Sequence, residues 1–560
     1  MDNGRMIIAI ALSFLVFLVW QFVFAPQETQ RAEKKQPEQV AAPEKTRQEP
    51  SEVKETVVVE KSFPARGGDT LPAGKARIIT VDTPLYRVKI SEDRAVFTSY
   101  VLKGYRERVE NDSPYKELIP EVVRDGILQT DLINNSVSGL NKAIYRAARP
   151  SRPADQVPGS ISVQYENEAI SFFWKSPAGV VVEKKFSFSP DSYMIKMAVT
   201  INNGSDRPIQ DQLAISLKNT LPDGKETYGF SGPSALINGK LEQIKISKIK
   251  DKNVYTGNLK WIAVQDRYFL AGIIPEKAVD ASMRLFVQDE KVLENQIVLS
   301  LGEIAQGSGQ TRDFQVFLGP KSVKILNRLG YELDKVLYFG WFDFIAKPCL
   351  WLMNFLYGFI PNYGIAIIIL TIIVKALLWP LGQKSYKSMN EMKRLQPLMA
   401  EIREKYKNDK KRMNQEIMGL YKVYKINPMG GCLPMIVQLP FFFALYRMLY
   451  EAIELRHAPF LWWINDLSAP DRLFQFGFSI PFMQAPYGIP VLTIVMGGTM
   501  FLQQKMSPPP GDPSQAKMMM FMPIIFTFIF INFSSGLVLY WLVNNILSIS
   551  QQYYISRRSA

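Results

Sequence analysis

The spacing of apolar residues changes several times along the chain, and each change predicts a different element. Residues Met6 to Phe24 form a run of 19 without a charge, which as a helix spans a hydrocarbon core of about 30 Å. Secretory signal cores are shorter, about 7–15 residues, so residues 1–26 predict an uncleaved membrane anchor. Residues 27–57 lack aromatics and are dense in Pro, Gln, Glu and Lys, the composition of a flexible tether. Over residues 58–330 the pattern becomes short alternating runs at Ala76–Asp82, Tyr86–Ile90, Ser160–Tyr165, Gly179–Phe188, Tyr193–Ile201 and Met283–Gln288, with turns at Asn202-Asn-Gly and Pro222-Asp-Gly. That pattern predicts a large all-β domain of packed sheets.

Beyond it, residues 331–361 mix Trp341, Phe344 and Trp351 with Asp334, Lys335 and Lys347, as expected of an amphipathic helix lying in a membrane interface. Apolar stretches at 362–381, 429–450, 489–505, 518–533 and 536–556 predict five further crossings, six in all. Connecting loops fall at 382–428, 451–488 and 506–517. Several of these stretches carry Pro or polar residues and should pack against protein rather than lipid alone.

Composition removes most enzyme chemistry. With two cysteines, Cys349 and Cys432, and one histidine, His457, in 560 residues, the chain lacks the ligands for a Cys/His metal centre and the usual acid/base machinery. No catalytic residue and no metal are expected. The net charge of +14 suits either nucleic acid or a membrane surface, and its distribution decides. Residues 383–427 hold 12 basic against five acidic side chains, whereas residues 451–488 hold two against four. The positive-inside rule then puts the first segment, both termini and the 557–560 tail in the cytoplasm, and the β domain on the far side. A tethered β domain outside an inner membrane suggests a periplasm, and DNA is not an expected partner.

The basic segment has a helical pattern of its own. Met389, Met392, Leu395, Met399, Ile402 and Tyr406 recur every three or four residues, and Met413, Ile417, Leu420 and Tyr424 repeat this after Asn408-Asp409-Lys410. Two antiparallel helices facing through these rows would form a cytoplasmic hairpin. Methionines suit adaptable contacts, and the basic outer face suits anionic lipid or ribosomal RNA. Within the second crossing, Lys375 lies 11 residues beyond Gly364, roughly 16 Å along the helix and so near mid-membrane. A buried lysine there costs about 2.5–3.5 kcal/mol to insert and marks a functional site. Thr371 is one turn away on the same face. Gln438, Thr527, Asn544, Asn545 and Ser548 add intramembrane polarity, and Tyr540 and Trp541 add aromatic walls.

The motifs themselves are specific. The run from Asn362 to Lys375, Leu395-Gln-Pro, NPMGGCLPMIVQLP from Asn427 to Pro440, LRHAPF from Leu455, Asp466-Leu-Ser, Gln504-Lys-Met-Ser-Pro and SGLVLYW from Ser535 closely resemble the YidC/Oxa/Alb family of membrane protein insertases. The anchor, tether and β domain resemble the Gram-negative form of that family. The resemblance implies a multi-pass α-helical membrane protein with a five-helix insertase core and a large periplasmic β-supersandwich domain. It also implies a hydrophilic groove that inserts and folds integral membrane proteins without cofactor. The implied partners are nascent membrane proteins, the Sec translocon and its accessory proteins, the ribosome and membrane lipids. One position departs from the family: lysine stands at 375, where arginine is usual. A transporter built around that lysine is the alternative, although the internal repeats or paired broken helices of transporters are absent. Ser514-Gln-Ala-Lys517 matches a Ser-x-x-Lys nucleophile pattern only in its four residues.

Overall fold

The computed structural model describes residues 76–149, 157–222, 229–424, 433–506 and 513–559, all within one compact unit, Lys75–Ala560. The anchor and tether expected at 1–26 and 27–57 lie outside the described residues, as do Asn427 to Cys432 of the long motif.

The first half is a β-sandwich. One sheet of five strands runs in the order Tyr115–Glu117, Val96–Arg106, Tyr86–Ser91, Ile78–Asp82 and Ser160–Ser162, antiparallel except for its last pair. The other has 13 strands among the described residues and is antiparallel throughout. The strands legible as alternations, such as Val181–Phe188 and Met194–Asn202, bury every second side chain, since one face meets the core and the other water. Ser160–Ser162 stops short of the expected Tyr165, whose side chain is 95% exposed. Gly232–Ile237 and Phe269–Pro275 are buried nearly throughout. Buried on both faces, these runs carry no period that separates strand from helix.

Two buried charges fix this sandwich. Lys184 is fully buried, and its ammonium donates to the carbonyls of Arg94, Ala95 and Leu128 at 3.1, 2.8 and 2.8 Å. Glu92, also buried, accepts from the Arg77 guanidinium at 2.7 Å, from Arg146 at 3.5 Å and from the amide of Ala147 at 3.2 Å. It thereby ties the five-stranded sheet to the edge strand Arg146–Ala148 of the larger one. Close approach also matters: a Cβ on Gly204 would lie 2.5 Å from the carbonyl oxygen of Gly179, whose own φ is +88°.

The second half is helical: α1 (Val323–Leu329), α2 (Asp343–Phe359), α3 (Tyr363–Leu377), α4 (Trp379–Arg394), α5 (Gln396–Lys405), α6 (Lys410–Val423), α7 (Leu433–Glu451), α8 (Val491–Met506), α9 (Pro513–Phe530) and α10 (Ser535–Ser559). α2 buries Ala346, Cys349, Leu350 and Met353 while Phe344, Trp351, Phe355 and Phe359 stay exposed, an amphipathic division. It covers only part of 331–361, because two 3₁₀ turns precede it.

Two expectations are corrected. Among the described residues no single helix is long and apolar enough to cross a membrane; the pair α3 and α4, bent by 64°, passes that test jointly. The continuous helix expected over 362–381 therefore ends at Leu377 and bends, with Pro380 in the first turn of α4. Of the six expected crossings, the first lies outside the described residues, and among the others Lys375, Pro440, Pro523 and the polar row of α10 interrupt the apolar runs. The continuous helix expected from Met389 to Tyr406 breaks at Leu395, where Pro397 opens α5; proline cannot donate to the preceding turn. Met389 and Met392 thus belong to α4, apart from the α5–α6 hairpin.

The β-sandwich rests on one end of the helical bundle. Arg267 donates to the carbonyl of Tyr450 at 2.7 Å and stacks 3.7 Å from its ring. Arg456 donates to the carbonyl of Arg106 at 2.6 Å, and Ser322 to Glu454 at 3.1 Å. These contacts gather at the C-terminal end of α7, while the α5–α6 hairpin follows the far ends of α3 and α4.

The guanidinium and amides around Glu92 hold its carboxyl below the ordinary glutamate range. Its stabilisation is therefore present above about pH 4.5 and lost as pH falls through the lowered folded value. Glu92→Gln should cost the sandwich about 1–3 kcal/mol near neutral pH and flatten that acid-side loss, as thermal unfolding of the purified protein across pH would record.

Candidate functional site

α10 is the hub of the helical half. Its polar residues Asn544, Asn545, Ser548, Gln551 and Gln552 fall within little more than two turns, and they bond to four different segments. Asn544 accepts from Gln438 of α7 at 2.9 Å. Asn545 donates to Thr499 of α8 at 3.2 Å. Gln551 donates to the carbonyl of Trp379 at 3.2 Å and Gln552 to that of Met506 at 2.9 Å. In hydrocarbon each such group must be satisfied within the protein.

Lys375 meets this row from α3. Its ammonium donates to the hydroxyl of Ser548 at 2.6 Å and to the side-chain oxygen of Asn544 at 3.4 Å. Ser548 in turn donates to the carbonyl of Asn544 at 2.7 Å. Gln438 also bonds Tyr540, and Tyr386 of α4 bonds Ser548. The structure thus brings together Lys375, Gln438, Tyr540, Asn544 and Ser548. Among the described residues no carboxylate forms an ion pair with Lys375. A cation held by neutral oxygens alone keeps its capacity to attract an anion.

The other candidates have different surroundings. Thr371 donates to Ile367 of its own helix at 2.6 Å, so its hydroxyl is already engaged. Thr527 donates to the carbonyl of Pro523 at 2.7 Å and lies against Gly497, where an added Cβ would come within 2.2 Å of its hydroxyl. Asn545 points to α8, away from Lys375. Trp541 sets its ring 4.7 Å from Phe442 and 5.1 Å from Phe530, and its buried indole N–H has no acceptor among the described residues.

Of the hairpin residues, Met399 packs with Leu395, Leu398, Ile417, Leu420 and Tyr421 in a small core of its own, and Tyr421 donates to its sulfur at 3.5 Å. Tyr406 sits between Lys405 and Arg412, each 5.6 Å from its ring. Met413 is half-buried outside that core and Tyr424 is exposed. Tyr386, Thr499, Gln551 and Gln552 were missed in the sequence, although the spacing of Gln551 and Gln552 from Asn544 and Ser548 places them on the same side of α10. The side chains of Ser514 to Lys517 lie outside the described residues, and among those described no group of His, Cys, Asp or Glu could hold a metal.

Comparison with known proteins decides the family. Residues 355–560 match the family described as 60Kd inner membrane protein, and residues 78–352 match the YidC periplasmic domain. The membrane protein insertase YidC of Syntrophobacter fumaroxidans is 39% identical over 568 aligned residues, 99% of this chain and 100% of that protein. The chain belongs to the YidC family of membrane protein insertases. The YidC of Syntrophus aciditrophicus is 41% identical across 87% of this chain and 86% of that protein. A crystal structure of an active YidC insertase covers 86% of this chain and 94% of its own, at 18% identity and a TM-score of 0.37. In YidC terms, the sandwich, α1 and most of α2 fall within the periplasmic-domain match, and the end of α2 with α3–α10 falls within the inner membrane protein match.

The Gly497–Thr527 contact lets α8 and α9 approach closely. Gly497→Ala should cost about 1–3 kcal/mol by overpacking. Thr527→Ala in the same chain should restore part of that loss, as thermal unfolding in detergent would read.

Proposed function

We propose that this protein inserts and folds client membrane proteins through a hydrophilic groove built around Lys375. The reading is carried by one observation: a lysine among apolar helices whose partners are neutral oxygens of Ser548 and Asn544. Structural Lys184 spends three donors on fixed backbone carbonyls, whereas Lys375 makes two bonds to side-chain oxygens, which leaves its charge to draw an acidic client segment inward.

The mechanism lowers a barrier and makes no bond. A client's polar tail or loop would cross hydrocarbon at several kcal/mol per unsatisfied group. A groove offering Lys375, Gln438, Tyr540, Asn544 and Ser548 replaces lost water while the client's apolar span moves into lipid. The finer architecture follows the charge pattern: six crossings, five of them forming the core, with both termini and the α5–α6 hairpin cytoplasmic and the sandwich periplasmic. The hairpin, with Met399 in its seam and Tyr406, Met413 and Tyr424 outside it, receives clients from the ribosome. Met389 and Met392 continue that surface along α4. The Sec translocon works alongside, and lipid closes the open side.

Lys375→Arg should keep insertion close to native, since the cation remains. Lys375→Leu should slow clients with acidic translocated segments by roughly tenfold, the loss of about 1.4 kcal/mol, and spare neutral ones. Insertion of matched acidic and neutral clients into proteoliposomes is the measurement, and equal efficiency on both would falsify the electrostatic role. Solute flux without insertion would instead favour a transporter.

Capture is separable from passage. Deleting residues 396–424, which leaves α4 and its packing on α10 intact, should weaken insertion while the protein stays membrane-integrated. Unchanged insertion at native expression would reduce the hairpin to a connector.

A further inference from the structure

The segment between α7 and α8 contains a hairpin that the groove does not use. Leu473–Phe476 pairs with Tyr487–Ile489, and from Leu473 to Gln504 there is no charged side chain. Its aromatics face outward: Phe474, Phe478 and Phe482 are 69%, 64% and 87% exposed, and nearby Trp462 is 86% exposed. Three of these four have positive φ, Trp462 at 54°, Phe474 at 53° and Phe482 at 65°. A bulky side chain is a costly occupant of that region, which glycine or asparagine would fill more easily in a water-facing turn. An aromatic kept there is best explained by what its ring touches outside the protein.

The hairpin is held firmly. Arg472 donates to the carbonyls of Pro486 and Ile531, each at 2.8 Å. Asn532 donates to the carbonyl of Phe482 and accepts from the amide of Gln484, again at 2.8 Å. Asp471 accepts from the amide of Leu492 at the start of α8. The rings are therefore presented by a structure tied to α8 and to the end of α9, at the same end of the bundle as the β-sandwich.

We propose that this hairpin is immersed in the lipid leaflet on the β-domain side, where Phe474, Phe478, Phe482 and Trp462 anchor the α8–α9 pair at the headgroup boundary. Lipid is the occupant that fits. The uncharged surface runs without interruption into the exposed Ile494 and Val495 of α8, and aromatic side chains on an uncharged face match the interface. The only arginine at its base, Arg472, is occupied by backbone carbonyls. The inference rests on membership of an inner-membrane family and is independent of the groove.

The test uses full-length protein with Cys349→Ala and Cys432→Ala, reconstituted in phosphatidylethanolamine and phosphatidylglycerol vesicles. Nitroxide labels go on Phe478→Cys, Phe482→Cys, Ile494→Cys and Tyr165→Cys in separate samples. Labels at 478 and 482 should collide severalfold more with oxygen than with a water-soluble nickel chelate, as at 494 and opposite to 165. Nickel accessibility equal to that at 165 would overturn the proposal, as would spin–spin broadening that grows with protein density, the mark of a second copy. Trp462 gives a label-free reading in the native chain: brominated lipids should quench the emission that Trp462→Phe removes, and unquenched emission would count against immersion.

Discussion

Polar side chains within an apolar bundle cost least when they find partners inside the protein, and in this chain that demand converges on one helix. α10 sends Asn544, Asn545, Ser548, Gln551 and Gln552 to α7, α8 and the α3–α4 corner. Shifting α10 by one turn would leave several of these groups unsatisfied at once, so the row fixes register as well as stability. The position of Lys375 follows from this register, because its two acceptors belong to α10.

Charge placement divides the rest of the molecule in the same way. In the sandwich, buried Lys184 and Glu92 are each surrounded by several partners, which makes them structural. Lys375 has two contacts, both to side-chain oxygens of α10, and it lies where a bundle of membrane-family helices meets. The two buried lysines thus differ in how many donors each has committed to fixed acceptors. Arg267 and Arg456 perform a third task, using backbone carbonyls to seat the sandwich on the end of α7. Carbonyl acceptors make that seat depend on backbone position more than on any one side chain.

Insertase function and a firm periplasmic-side seat are compatible because they occupy different ends. α3 and α4 meet at a bend of 64°, and the hairpin follows the end of α4, whereas the sandwich is seated at the end of α7. The small core around Met399 lets that hairpin keep its own shape. Motion of the hairpin therefore need not disturb the polar row, which is anchored through Gln551 to the bend itself.

Much of this was legible in the chain. Alternation marked Val181–Phe188 and Met194–Asn202 as strands because one face is wet and the other dry, and the long motifs from Asn362 to Trp541 carried the family. Isolated polar letters in apolar runs drew attention to Lys375, Gln438, Asn544 and Ser548. The sequence could not say which of these would meet, because partners 106 to 173 residues apart are joined only by packing. It did not separate Thr371 and Thr527, whose hydroxyls turn back on their own helices, from the residues that reach across. Doubly buried strands such as Gly232–Ile237 were hidden, since without a wet face there is no period to read. The break at Leu395 was masked by a regular methionine row, although Pro397 stood in plain view. Local chemistry determined which segments are strands, helices or candidate sites; tertiary structure decided which polar groups share a partner, because burial turns a distant side chain into the only available solvent.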